Sequence, residues 1–520
     1  MALSRRVFGA PASIAVGIVL ALYTVLVRWP YREVIGEDEA FFLIVAHQWL
    51  LGLPPYVGAF DVKPPGLFAI VALAETLFGP TLEAIKTLEA AAVAATSVAL
   101  WTFGRRHLNA GAGLIAGLFY APASLVLSGV NSPPELLASA FVTLAVLVGW
   151  GTATAERPRL IGWTVAGLLM GVAMSVKQPA VFEAAAFCLA VLATPSVGRS
   201  RAVVAFALGC AAVPAAFAAF YIAGGHFTDL LNDAVLAALG RTKGDGLTWM
   251  EAVRRTPAML KPVVLLVGAA ALVWAERRRL RGSPLWPTIR LLAIWLAGAL
   301  AGILAVKSMY DHYFLTLLPP LSLLAGVGLD ALPIRAPRWR WAAKAALIGA
   351  TLALLVSRAL PLIGPAASRL AAERQTAASL RAFGLKAEDR ILVVGDLGVY
   401  LLAHAEPAAS VFHPLQMLCA FPQLGGVDPL AAALASRAAF VVLPAPNIHM
   451  VCEIEARQQE VAAVLASDYC PLARSDRFTV EGLPNELTVY GRRTQFAVAC
   501  ARRASGLSRS VVPAPRVAID

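Results

Sequence analysis

Apolar blocks of roughly 18–23 residues, separated by short clusters of arginine, run from residue 11 to residue 360. Each is long enough to cross about 30 Å of hydrocarbon as a helix. In lipid every backbone N–H and C=O needs an internal partner, so blocks of this kind have little choice but helix. Composition agrees: of 520 residues, 59% are hydrophobic and only 15% charged, with mean hydropathy +0.70. A soluble globular chain carries about 25% charged residues. The pattern predicts a polytopic α-helical membrane protein. The net charge of +12 does not point to nucleic acid, because the arginines form no basic stripe and accompany no binding motif. They sit between the apolar blocks, as in cytoplasmic loops.

Ser4-Arg5-Arg6 precedes the first block, 11–29, which places the N-terminus in the cytoplasm. No small-residue cleavage site follows that block, so it reads as a retained anchor. The first external loop then covers 30–81. Within it the apolar stretches 40–51 and 66–78 are too short to span, and Glu75 interrupts the second. Read as interfacial or re-entrant helices, they leave every later arginine cluster inside: Arg105-Arg106, Arg157 and Arg159, Arg199 and Arg201, Arg277-Arg278-Arg279 with Arg281, and Arg335, Arg338 and Arg340. The remaining spans are expected at 82–104, 110–129, 134–153, 160–176, 178–195, 202–224, 257–275, 288–306, 313–331 and 341–360, about 11 in all with the first. The outer loop 225–256 fits less well, since it holds Arg241, Lys243, Arg254 and Arg255; longer loops obey the charge rule less strictly.

The domain organisation follows. Residues 1–360 form the transmembrane domain and 361–505 a small extracytoplasmic α/β domain; the tail 506–520 reads as disordered. In the second domain the short β-rich runs ILVVGD (391–396), AFVVLP (439–444) and ELTVYG (486–491) alternate with helical stretches at 370–383, 428–435 and 454–467. ILVVGDLG lacks the GxGxxG spacing of a dinucleotide turn and reads as a plain strand-to-helix turn. Cys188 and Cys210 lie in apolar blocks as small hydrophobes. Cys419, Cys452, Cys470 and Cys500 lie in the second domain, where an oxidising compartment permits disulfides whose pairing the sequence leaves open.

Against this apolar background, the stretch 36–66 (GEDEAFFLIVAHQWLLGLPPYVGAFDVKPPG) is dense in charge and turn residues. Glu37, Asp38 and Glu39 could simply be a solvated loop and helix cap, since acids favour the positive end of a helix. Their company argues for more. Lys63 follows on the same side of the membrane, so a carboxylate base and a cation for an anionic leaving group share one loop. Charges held near lipid are costly and mark function when they cannot reach water. The same side also collects Glu135 behind Pro133-Pro134, Lys177 at a span end, and Tyr310, Asp311 and His312 at the mouth of another. The bland readings are an N-terminal helix acid for Glu135, snorkelling for Lys177 and interfacial anchoring for Tyr310 and His312. Lys86 and Glu89, one turn apart, read as a structural pair.

The order Asp38-Glu39, an apolar helix, G-x-P-P-Y (52–56), D-x-K-P-P-G (61–66), LFG (77–79) and a span ending G-R-R (104–106) resembles the first external loop of membrane glycosyltransferases with the GT-C fold. The nearest branches are the aminoarabinose lipid A transferases, the protein O-mannosyltransferases and the bacterial lipopolysaccharide-core glycosyltransferases. N-S-P-P-E (131–135), G-V-A-M-S-V-K-Q (171–178) and Y-D-H-Y-F-L-T-L-L-P-P-L (310–321) add to the likeness, which covers roughly residues 10–360. The resemblance implies a polyprenyl-phosphate sugar donor, undecaprenyl- or decaprenyl-linked, and a lipid, glycan or protein acceptor outside the inner membrane. It implies Asp38 as catalytic base with Glu39 beside it, and Lys63 at the phosphate. Tyr56, Asp61, Glu135, Lys177, Tyr310 and His312 are the further expected donor contacts. Glu37 is left as merely solvated. No cofactor is required; the acids could hold a divalent cation, but without an Asp-x-Asp triplet no metal is expected. One departure matters: where the aminoarabinose branch has an Arg-Tyr pair, this chain has Phe41-Phe42, which leaves the sugar open. The competing class is a multi-span lipid or sugar transporter or flippase. That class predicts repeats and polar residues at the bilayer midplane. No second copy of 36–66 exists, and the polar residues gather at one face.

Overall fold

The apolar blocks are helical throughout the computed structural model of the chain, which describes residues 10–131, 133–193, 199–240, 247–332, 340–386, 389–418, 428–445, 455–480 and 483–504. The expected tail 506–520, Cys419, Cys452, Arg241, Lys243, Arg335 and Arg338 lie outside the described residues. The first nine helices are α1 (Ala10–Arg28), α2 (Glu37–Leu50), α3 (Pro65–Phe78), α4 (Leu82–His107), α5 (Ala110–Val126), α6 (Pro133–Ala153), α7 (Leu160–Val176), α8 (Ala180–Leu192) and α9 (Arg199–Ala223). Val264–Ala275, Trp286–Val306, Leu318–Ala331 and Arg340–Ala359 follow. Every expected span therefore contains a helix. Among the described residues 8 helices are long and apolar enough to cross a membrane; α5, α7 and α8 are apolar but shorter. The chain is a polytopic helical membrane protein.

Two compact units emerge. One comprises Met1–Arg32, Val62–Phe78 and Glu83–Pro361, the other Glu33–Asp61, Gly79–Leu82 and Leu362–Asp520. The first external loop is thus shared: α2 counts with the C-terminal residues, α3 with the spans.

In the first unit the helices meet through small residues, as helices do where lipid supplies no hydrophobic drive for association. A Cβ on Gly209 of α9 would stand 2.5 Å from the Thr164 carbonyl of α7, so only glycine permits that crossing. Lys86 and Glu89 do pair, at 3.4 Å, and Arg28 joins them 3.1 Å from the same Glu89 oxygen. The segment 225–256, expected as a loop, is partly helical. Trp249–Met259 forms a helix capped by Thr248, whose backbone N–H donates to the Glu251 carboxylate at 2.8 Å. That reciprocal cap offsets the polar composition that made the segment look like loop.

The second unit holds a mixed sheet of strands β1 (Arg390–Val393), β2 (Glu406–Pro407), β3 (Phe440–Ala445), β4 (Tyr469–Arg474), β5 (Phe478–Val480) and β6 (Leu483–Arg492), in the order β2-β1-β3-β6-β4, with β5 hairpinned onto β6. β1 runs parallel to β2 and β3, while β6 is antiparallel to β3 and β4. Leu392, Val441 and Leu443 pack against Leu430, Val461 and Leu465 of the covering helices. After β1 the chain turns through Gly395, at φ 123°, into the helix Gly398–Ala403: a strand-to-helix turn with no dinucleotide geometry. A disulfide joins Cys470 on β4 to Cys500, with Cα atoms 5.7 Å apart. Cys188 and Cys210 are free thiols in the span region.

Candidate functional site

The expected site residues divide between the units. In the span-containing unit, the turn Val62–Pro65 is seated on the end of α7. Gln178 donates from Nε2 to the Val62 carbonyl at 2.7 Å, and a Cβ on Gly66 would stand 2.5 Å from the Ser175 carbonyl. The backbone beside Lys63 is therefore tied to the residue after Lys177. Lys177 in turn ion-pairs with Glu135, which is 2% exposed at the start of α6. His312 Nε2 lies 3.7 Å from the same Glu135 oxygen. The His312 ring stacks on Tyr310, with centroids 5.6 Å apart, and meets Tyr313 edge-on at 4.7 Å. Lys177 also lies over the Tyr313 ring.

Glu135, Lys177, Tyr310 and His312 thus converge. A cavity opens beside them. Lys177, Tyr313 and Thr316 give it polar walls, and Ala138, Ile303 and Val306 line much of the rest. Glu183, also on its wall, accepts a hydrogen bond from Trp295 Nε1 at 2.7 Å. The cavity itself is small, about 20 Å³, so what the cluster offers is a cation, a histidine and tyrosine rings next to apolar side chains.

In the other unit, α2 presents its acids from its first turn. Glu39 is fully buried, and its carboxylate accepts from the Gly36 N–H at 2.7 Å, so it closes the helix start. Asp38 keeps 32% of its side chain exposed and lies 3.1 Å, Oδ1 to Nε2, from His413. Glu37 is not merely solvated: Arg369 donates to it from Nη2 at 3.0 Å. No local pattern could announce that partner, which is 332 residues away. Arg369 also faces Asp396, and Glu373 at 3.8 Å. Burial works against the Arg369 charge, but Asp396, Glu37 and Glu373 outweigh it and raise its pKa further. Burial pushes Glu373 up to about 8, with Arg369 opposing and Asp396 and Glu37 adding to the rise.

Tyr56 is buried in a turn of the same unit at φ 71°, an uncommon conformation for a bulky residue; its N–H donates to the Ala59 carbonyl at 2.8 Å. Asp61 is fully buried and accepts from Gln416 Nε2 at 2.9 Å. The short helix Pro414–Leu418, with His413 just before it, therefore touches both Asp38 and Asp61. Sequence reasoning missed His413, Gln416 and Arg369, which carry no motif. Gln178 and Tyr313 were missed as well, although both stand inside the K-Q and D-H-Y motifs. Among the described residues, no cluster of three or more His, Cys, Asp or Glu could hold a metal ion.

The architecture is shared with solved membrane enzymes. ArnT from Cupriavidus metallidurans, bound to undecaprenyl phosphate, superposes with a TM-score of 0.62 over 92% of this chain and 98% of its own, at 14% identity. The chain has the GT-C fold. The arabinofuranosyltransferase AftD from Mycobacteria shares this GT-C architecture with a TM-score of 0.53, 17% identity, and coverage of 94% of this chain but 40% of AftD. The oligosaccharyltransferase of Archaeoglobus fulgidus in its apo form gives a TM-score of 0.52, 13% identity, and coverage of 84% and 70%. A family model described as dolichyl-phosphate-mannose-protein mannosyltransferase matches residues 62–222. That match begins where the chain enters the span-containing GT-C unit and takes in Lys63, Glu135 and Lys177. No curated protein sequence matches the chain.

Proposed function

We propose that this protein is an integral-membrane glycosyltransferase that moves a sugar from a polyprenyl phosphate to an extracytoplasmic acceptor. The observation that carries the reading is the tie between the Lys63 turn and the Lys177 end of α7, beside a cavity with polar and apolar walls. Sugar transfer from a lipid phosphate leaves a phosphate whose charge grows in the transition state, and fixed cations stabilise that charge as it forms. Lys63 and Lys177 supply them. Glu135 and the Tyr313 ring hold the Lys177 head in place, His312 braces Glu135, and Tyr310 offers a face to the sugar or lipid head.

The reaction is a single inverting displacement. The acceptor oxygen attacks the anomeric carbon, the bond from that carbon to the phosphate oxygen breaks, and the acceptor proton passes to Asp38. Glu39 closes the helix turn that carries the base. The reading places the N-terminus in the cytoplasm and the C-terminal unit outside, in keeping with the arginine loops and with a disulfide that needs an oxidising compartment.

The test is turnover by the full chain in nanodiscs with undecaprenyl phosphate esters of mannose, glucose, galactose and arabinose, and with envelope glycolipids or glycans as acceptors. Release of undecaprenyl phosphate with sugar transfer is expected, with no use of nucleotide sugars and with loss in Asp38→Asn and Lys63→Ala. Full activity of both variants would overturn the assignment. Lipid movement across a vesicle bilayer without sugar transfer would instead indicate a flippase.

A further inference from the structure

We infer that His413 is a positioning residue for the base: its Nε2–H fixes one oxygen of Asp38 and so sets the orientation of the carboxylate toward the acceptor. This rests on the reading of Asp38 as base. The two side chains come from stretches 375 residues apart in sequence and meet at 3.1 Å within one compact unit. His413 is held at both its backbone and its ring. Its carbonyl accepts from the N–H groups of Gln416 at 3.0 Å and Met417 at 2.9 Å, so the start of the short helix fixes its backbone. Its ring meets Phe41 edge-on, with centroids 5.1 Å apart, and the preceding Phe412 packs on the same Phe41 at 4.9 Å.

The tautomer follows from the partners. Nδ1 is buried with no hydrogen-bond partner, while Nε2 faces a carboxylate. A neutral imidazole has one proton, and it belongs on the nitrogen that has an acceptor. Nε2–H therefore donates to Oδ1 of Asp38. The histidine side chain is 9% exposed and the aspartate 32%, so the pair is sealed on the histidine side and open on the other. Other charges near the pair are Glu37 and Glu39 on α2, Arg369 and Glu373 on the helix Ile363–Ala382, Asp396 after β1, and Asp61 through Gln416. Arg369 is engaged by Glu37, Glu373 and Asp396, while His413 meets Asp38 directly.

A donor to an ionised carboxylate favours its charged form. In full-length protein in nanodiscs, with the undecaprenyl phosphate sugar ester that gives turnover, His413→Phe should lower kcat about 10- to 100-fold with donor KM little changed. The acidic limb of its pH profile should move toward neutrality. His413→Gln, whose amide can still donate, should recover most of the rate. A wild-type rate and profile in His413→Phe, or a His413→Gln as impaired as the phenylalanine variant, overturns the inference. Asp38→Asn separates the two ideas: if it turns over normally the base assignment fails, whereas an inactive Asp38→Asn beside a normal His413→Phe sinks only the role of His413. A measurement without substrate uses 15N-histidine NMR, with the His413 signal assigned by its loss in His413→Gln. Its Nε2 resonance should move in Asp38→Asn relative to wild type, and an unchanged resonance overturns the pairing.

Discussion

The ammonium of Lys177 lies 3.8 Å from the centroid of the Tyr313 ring and also ion-pairs with the Glu135 carboxylate. A cation held over a ring away from water gains about 2 kcal/mol. Tyr313→Phe keeps the ring and should leave the KM for the lipid donor within about twofold. Tyr313→Leu removes the face and should raise that KM about tenfold or more, given the same contact energy. Equal kinetics in the two variants would show that Lys177 needs no such support.

Gly66 offers a steric test of the same region. Any side chain there must push back the Ser175 backbone, two residues before Lys177. Overpacking of this kind costs about 1–3 kcal/mol. Gly66→Val should lower Tm in nanodiscs and depress turnover by more than the stability loss explains, because it shifts the Lys63 turn. Gly66→Val with unchanged Tm and turnover would refute the close seat.

Arg369 faces three carboxylates, so its removal strands like charges. Arg369→Met should destabilise the C-terminal unit by about 3–5 kcal/mol, the usual cost of breaking one side of a buried ion pair. Thermal melts and limited proteolysis of the full chain read this directly. Adding Glu373→Gln at neutral pH should recover little of the loss, because burial already keeps the Glu373 carboxyl protonated there.

Glu373 by itself gives the unit a pH dependence. Its folded pKa of about 8 lies above the ordinary carboxylate value of 4.5, so the folded state keeps a proton that the unfolded chain has released. Stability contributed by this group is present below pH 4.5 and is lost as pH rises toward 8, at a slope no steeper than about 1.4 kcal/mol per pH unit. In Tm measurements from pH 5 to 9, Glu373→Gln should gain on wild type as pH rises. A constant difference across that range would contradict the raised value.

The Cys470–Cys500 disulfide closes a separation of 30 residues, worth about 3–4 kcal/mol in chain entropy. Cys470→Ser should lower the Tm of the protein as purified, and reduction of wild type should match it. Mass mapping without reductant should recover the linked peptides; two free thiols there would contradict the pairing.

Much of the fold was legible because hydrocarbon imposes one length scale, and the blocks from 11–29 to 341–360 obey it. The cluster of Glu135, Lys177, Tyr310 and His312 was legible too, since all four sit at span ends on one expected side. What the sequence hid is long-range. Nothing near Glu37 announces Arg369, and nothing near Asp38 announces His413, because a side-chain pair formed across hundreds of residues leaves no periodicity behind. Gln178 is a milder case: it lies in the stretch G-V-A-M-S-V-K-Q, but its task is to hold the Val62 backbone, and a side chain bonding a distant carbonyl has no spacing to read. The helix Trp249–Met259 could have been found from Thr248 and Glu251, whose capping spacing is local.

The split of the first external loop bears on how this gene could be recombined. A crossover at residue 361 looks natural, since it falls where apolar blocks give way to strands. It would nevertheless hand the incoming C-terminal half a foreign Glu33–Asp61, and so a foreign match to His413, Gln416 and Arg369. The smallest exchangeable part is discontinuous. A working chimera must carry residues 33–61 along with everything after 361, and natural relatives should have inherited the two stretches together.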